Sequence, residues 1–319
     1  MRVLPNVRAR TVAGSLILAA VFFVLGIYVG ARQSLYEYSQ AFTHYKVSNT
    51  LYRWYKLKRI AAKEVIHSAD NPLTCPLEYK AIALFGQSNS ANRINRPQGL
   101  KRIDDGKTFM WDWSTRRCYS YREPVVGTDG DGMGNIITGA ILDVRKQDQY
   151  TNLIIVAFGY GGTSVFTWSH GYESIRLDEV LSGLKAARIE PSLFLWHQGE
   201  SDAMEEIYFP EKVSAYGLEI APKKKFYSMA LDMIVNKVHS AFPNARFGIA
   251  IASICQNNGS DEVRAAQRAV QQRYAWTVLS SDTDALGSEY RSADCHFNEK
   301  GESSIASDYA KVILQSIGP

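Results

Sequence analysis

The stretch AIALFGQSN, residues 81–89, decides how this chain folds. Five apolar residues in a row, without polar alternation, are what a strand buried on both faces requires. A glycine and three polar residues then end the strand and leave Ser88 just past its carboxyl end. Similar runs recur downstream, which makes 79–85, 152–158, 191–196, 246–253 and 276–280 the candidate strands. Helical patterns fill the intervals at 134–148, 172–188, 223–241, 260–275 and 299–316. Ser260, followed by Asp261 and Glu262, forms a ready N-terminus for one of them. Strand–helix alternation predicts a parallel sheet between helical layers. Such sheets put ligands beyond the carboxyl ends of their strands. The stretches 86–133 and 203–222 read as loop-rich borders of that cleft.

Three more segments stand out. GYGGTS at 159–164 is a glycine turn after the run ending at Phe158. WHQGESD at 196–202 follows the third run, and DCHF at 294–297 precedes the last helix. A serine, a histidine, an acid and backbone donors at glycines are the parts needed to attack an ester carbonyl and hold its oxyanion. Ser88 is the candidate nucleophile. His296 is the candidate base, with His197 its competitor. The acid is Glu200, Asp294 or a backbone carbonyl, and Asp202 reads as a cap or salt-bridge partner. Oxyanion donors are the Ser88 N–H, an N–H at Gly161 or Gly162, and the Gln198 amide. Asn89, Arg93 and Trp168 are candidate substrate contacts; Asn89 is also a candidate to orient the nucleophile loop, and Trp168, Trp111 and Trp113 are each weighed between sugar face and core, with core preferred. Ser90 stands where a nucleophile-elbow motif needs its second glycine, which excludes that frame. The chain has no phosphate loop, dinucleotide fingerprint or metal-ligand cluster, so no cofactor or metal is expected.

These segments resemble the blocks of the SGNH hydrolase superfamily. GQSNSANR at 86–93, GGTSVFTW at 161–168 and WHQGESD are most similar to carbohydrate esterases that include sialate O-acetylesterases and acetylxylan esterases. The resemblance covers roughly residues 78–316. It implies a three-layer α/β/α sandwich with a mainly parallel five-stranded, flavodoxin-like sheet. It also implies a serine esterase that removes O-acetyl groups from a carbohydrate. A polysaccharide O-acetyltransferase and an inactive carbohydrate-binding protein are the alternatives. One departure is visible: the superfamily's aspartate lies three residues before the histidine, where this chain has Ala293, and Asp294 is only two before.

The 319 residues carry a net charge of +4, unevenly. The first 31 residues hold +3 and residues 32–70 hold +4, which leaves 71–319 at −3 and argues against a nucleic-acid partner. Residues 11–31 carry no charge and are long enough to span a bilayer. Arg2, Arg8 and Arg10 before them place the N-terminus inside. The expected organisation is a cytoplasmic 1–10, a transmembrane anchor 11–31, a basic, aromatic helical stalk 32–71 and an esterase domain 72–319. That domain would be periplasmic or extracellular. A cleaved signal peptide ending at Ala31 is the rival reading. Cys75, Cys118, Cys255 and Cys295 allow three pairings, or free thiols. Cys295 lies beside His296 and Cys255 ends a neighbouring strand candidate, which favours Cys255–Cys295 with Cys75–Cys118.

Overall fold

A computed structural model describes residues 71–130, 133–204, 223–292 and 295–318. The proposed anchor 11–31, nearly all of the stalk, Asp294 and most of the 203–222 stretch lie outside the described residues. Among the described residues no helix is long and apolar enough to cross a membrane.

Strands β1 (Lys80–Gly86), β2 (Asn92–Ile94), β3 (Thr108–Asp112), β4 (Arg117–Ser120), β5 (Gly134–Asn135) and β6 (Leu153–Ala157) come first in the chain. They are followed by β7 (Pro191–His197), β8 (Arg246–Ile251), β9 (Thr277–Asp282), β10 (Arg291–Ser292) and β11 (His296–Phe297). The main sheet has seven strands in the order β4-β3-β6-β1-β7-β8-β9. All neighbours run parallel except the β3–β4 edge hairpin. The five expected strands are its five consecutive members from β6 to β9. The expectation of five strands is corrected to seven, because the β3–β4 hairpin fell in a stretch read as loop. Its turn carries no glycine, proline or asparagine. Asp112 builds it by accepting from Ser114 N, at 2.9 Å, and from the Thr115 hydroxyl, while Arg116 takes the left-handed position at φ 59°.

The helices are α1 (Ile137–Gln147), α2 (Val165–Ser169), α3 (Tyr172–Ala187), α4 (Glu200–Ala203), α5 (Lys223–Ala241), α6 (Asp261–Gln271) and α7 (Glu299–Ile317). Alternate residues of β1 serve two cores, as pleating requires. Ala81, Ala83 and Phe85 join α3, α5 and α6 through Leu177, Leu231 and Val263. Ile82 and Leu84 join α1 and α7 through Ile141 and Ile313. The result is a sheet between two helical layers. Ser260 caps α6 as expected, accepting from Val263 N at 3.3 Å.

From β1 the chain runs out to the β3–β4 hairpin at one edge and returns to β6 beside β1. It then crosses to β7, β8 and β9 on the other. β1 is therefore the switch point, and the crevice beyond its carboxyl end is where this topology admits a ligand. Ser88 stands there.

Candidate active site

Phe85 anchors the end of β1. Its ring stacks on Phe158 at 4.7 Å and meets Trp196 edge-on at 5.0 Å. Gly86 follows with φ 132°, and a methyl group on it would lie 2.1 Å from the His197 carbonyl oxygen, so only glycine fits. Gln87 N donates to that same carbonyl at 3.0 Å, and Tyr160 N donates to Gly86 O at 3.0 Å. Ser88–Ser90 then forms one 3-10 turn, with Ser88 buried to 7% exposure at the crevice floor. The Gln87 side-chain oxygen accepts from Gly199 N and Ser201 N, at 3.3 and 3.0 Å. This ties GQSN to QGESD. Its residue type was visible in the sequence, but this capping role was not anticipated.

The histidine arrives on the short antiparallel pair β10–β11. Asn89, the residue after Ser88, donates from Nδ2 to Cys295 O at 3.2 Å and accepts at Oδ1 from Phe297 N at 3.3 Å. Both neighbours of His296 are thereby bonded to the serine turn. Of the two roles weighed for Asn89, orienting the nucleophile loop is the one these bonds fit, since it is buried with both ends of its amide engaged. Arg291 braces the loop from behind, donating to Cys295 O at 2.8 Å and Thr283 O at 3.0 Å with its guanidinium over the Phe297 ring. No sequence motif flagged Arg291; an arginine five residues before the histidine was the only sign. The disulfides pair Cys255 with Cys295 and Cys75 with Cys118, the favoured arrangement. Burial and the Arg93 guanidinium hold the His296 imidazole below its ordinary value, against the pull of the Glu200 and Asp129 carboxylates. The imidazole is therefore neutral near pH 7, as a general base must be. Among the described residues none makes a hydrogen bond to its ring.

Glu200 is buried at the start of α4. Its Oε1 accepts from Asn89 Nδ2 at 2.6 Å and lies 3.6 Å from His197 Nε2, an ion-pair distance rather than a hydrogen bond. Burial alone would push its carboxyl up, but His197 and Asn89 outweigh that and hold it below the usual range. His197 itself is fully buried, with Nδ1 on the Tyr309 hydroxyl at 2.8 Å. Asp202 is structural as expected: it accepts from Val165 N, at the start of α2, at 2.9 Å. The Gln198 amide nitrogen faces Gln87 Oε1, Thr163 O and Asp202 Oδ2. Its two hydrogens are met by protein acceptors, and the side chain is fully buried. The expected oxyanion donor is thus a brace for the glycine turn.

Gly161 and Gly162 form that turn, with Gly162 at φ 70°. A methyl group on Gly161 would lie 3.5 Å from Ser88 Cβ, 3.3 Å from Asp129 Oδ2 and 2.9 Å from Arg93 Nη2. The turn, the serine, Arg93 and Asp129 therefore share one small space. Arg93 pairs with Asp129 at 2.9 Å and has about a quarter of its side chain exposed. Trp168, also a candidate substrate contact, is instead fully buried and donates to the Thr163 hydroxyl at 2.9 Å. Trp111 and Trp113 are buried too, so no tryptophan of the three presents a face to a sugar. Asp129 was missed; its place in the Asp- and Gly-rich run TDGDG at 128–132 was the available sign. Among the described residues no cluster of side chains suits a metal ion.

A serine turn at a switch point, beside a glycine turn and tied through Asn89 to the chain on both sides of a histidine, is the arrangement of a carboxylic ester hydrolase. The chain belongs to the family described as carbohydrate esterase, sialic acid-specific acetylesterase, whose profile matches residues 79–315. In fold it is similar to a protein from Arabidopsis thaliana, at 16% identity and TM-score 0.57 over 75% of this chain and 98% of that one. It is also similar to NanS, at 14% identity and TM-score 0.46 over 76% and 98% of the two chains. A third similar structure is a carbohydrate acetylesterase from Xanthomonas citri, at 12% identity and TM-score 0.47 over 75% and 56%. A search of curated proteins finds no match in sequence.

Proposed function

We propose that the protein removes O-acetyl groups from a carbohydrate through an acyl-enzyme on Ser88. His296 takes the Ser88 proton as the hydroxyl attacks the acetyl carbonyl, and returns it to the departing sugar oxygen. The same imidazole then deprotonates a water, which releases acetate and restores the serine. The Ser88 N–H and an N–H of the Gly161–Gly162 turn hold the oxyanion. The observation that carries this reading is the Asn89 bridge, which bonds the residue after the serine to the chain on both sides of the histidine. In this reading Glu200 is a positioning residue acting through Asn89, because its Oε1 meets both Asn89 and His197. The acid that orients His296 is then Asp294.

Assay of acetylated sugar with and without a sugar acceptor tests the reaction. Acetate release without acceptor supports hydrolysis, transfer to acceptor supports an acetyltransferase, and neither in a folded sample supports a binding protein. The uncharged stretch 11–31 supports anchoring of the domain outside the cytoplasm by one span. Full-length protein should stay with membranes in high salt, which strips charge-held proteins; release by salt alone would contradict the anchor.

A further inference from the structure

Asp129 sits where the glycine turn, Arg93 and Ser88 meet. Its Oδ2 accepts from the Gly161 N–H at 3.1 Å and from Arg93 Nη2 at 2.9 Å. Its Oδ1 is buried and has no hydrogen-bond partner among the described residues. The backbone of Asp129 is fixed independently of its side chain: its N–H donates to Gly159 O at 3.3 Å and its carbonyl accepts from Asn92 N at 2.9 Å. An N–H suited to an oxyanion is thus already bonded to a carboxylate. One hydrogen cannot serve both anions well, and two negative charges at contact repel strongly in a crevice of low polarity. The carboxylate must leave Gly161 before this donor can act.

We propose that the Arg93–Asp129 pair recognises the sugar, and that the sugar completes the oxyanion hole. This rests on the esterase reading above. A free hydroxyl beside the acetyl ester donates to Asp129 and draws the carboxylate off Gly161. The Gly161 N–H then takes the acyl oxygen. Arg93 donates a further N–H to a second sugar oxygen. A carboxylate that only accepts, paired with a guanidinium that only donates, matches a diol, whose hydroxyls do both. The ligand class is therefore a partially acetylated carbohydrate with a free hydroxyl next to the ester. An ester with no such hydroxyl has to break the Asp129–Gly161 bond unaided.

The test compares kcat/KM of wild type, Asp129→Ala and Asp129→Asn on two substrates. One is p-nitrophenyl acetate, which carries no neighbouring hydroxyl; the other is a methyl glycoside with one acetyl group beside a free hydroxyl. Removing a charge-assisted competitor for one donor should raise the p-nitrophenyl acetate value of Asp129→Ala by roughly tenfold. The glycoside value should fall by a similar factor. Asp129→Asn keeps an acceptor without the charge and should lie between on both substrates; its near-identical shape covers the case in which the alanine variant fails to fold. An equal fall on both substrates would make Asp129 a structural residue only, and an equal rise would make it a plain block without recognition. Either overturns this inference while leaving the esterase reading standing. A wild-type enzyme inactive on both substrates would overturn the esterase reading, and this inference with it.

Discussion

The molecule buries two clusters of charge, and they are built on opposite terms. In the first, Arg96 lies between Glu123 and Glu302, which brings two loops and helix α7 together. Arg96 donates to Glu123 from Nε and Nη2, at 2.9 and 2.7 Å, and to Glu302 from Nη1 and Nη2. Glu123 also accepts from Thr138, Asn135 N and Lys101 N, and Glu302 from Gly139 N. Burial would raise the Glu123 carboxyl, but Arg96 and these donors hold it below the usual range. The second cluster is the crevice around Ser88. There Asp129 Oδ1, Glu200 Oε2, His197 Nε2 and Arg291 Nε are buried without a hydrogen-bond partner among the described residues. A saturated network holds a shape, because every buried polar atom has its partner. A network with spare acceptors and donors beside a crevice keeps capacity for a substrate.

Breaking each cluster should therefore have different consequences. The largest effect is expected from the acid. Asp294→Asn should lower kcat by several orders of magnitude while the fold persists, as removal of an orienting carboxylate does elsewhere. Glu200→Gln should cost far less, since a glutamine oxygen can still accept from Asn89. If Glu200→Gln proves the worse of the two, Glu200 is the direct partner of His296. The saturated network should respond in stability instead. Arg96→Met strands two buried carboxylates and should destabilise the fold by about 3–5 kcal/mol, with turnover per folded molecule unchanged. Thermal or denaturant unfolding reads this; a variant as stable as wild type would show the network to be ornamental.

The two clusters also differ in how far the sequence revealed them. Ser88, Glu200 and the glycine turn sit in short motifs at strand ends and His296 in the loop before the last helix, so their place at one sheet edge followed from strand order. The five strands and five long helices were legible for the same reason, since uninterrupted apolar runs and amphipathic stretches are local signals. The Arg96 network was not legible, because its partners are separated by 27 and 206 residues and no local pattern announces them. The fates of Asn89, Gln198 and Trp168 were hidden for a related reason. Sequence shows that an amide or indole is near the site, but not whether the protein itself has already taken its hydrogens. The β3–β4 hairpin escaped because Asp112 and Arg116 make its turn without the usual turn residues.

The central claim is a covalent acetyl-enzyme on Ser88. Rapid quenching of the enzyme with an acetylated sugar, followed by mass spectrometry of the peptide containing Ser88, tests it directly. An acetyl group should appear on the Ser88 hydroxyl during turnover and be absent from Ser88→Ala, which should also be inactive. Continued acetate release by Ser88→Ala, with no acetylated peptide in the wild type, would contradict it.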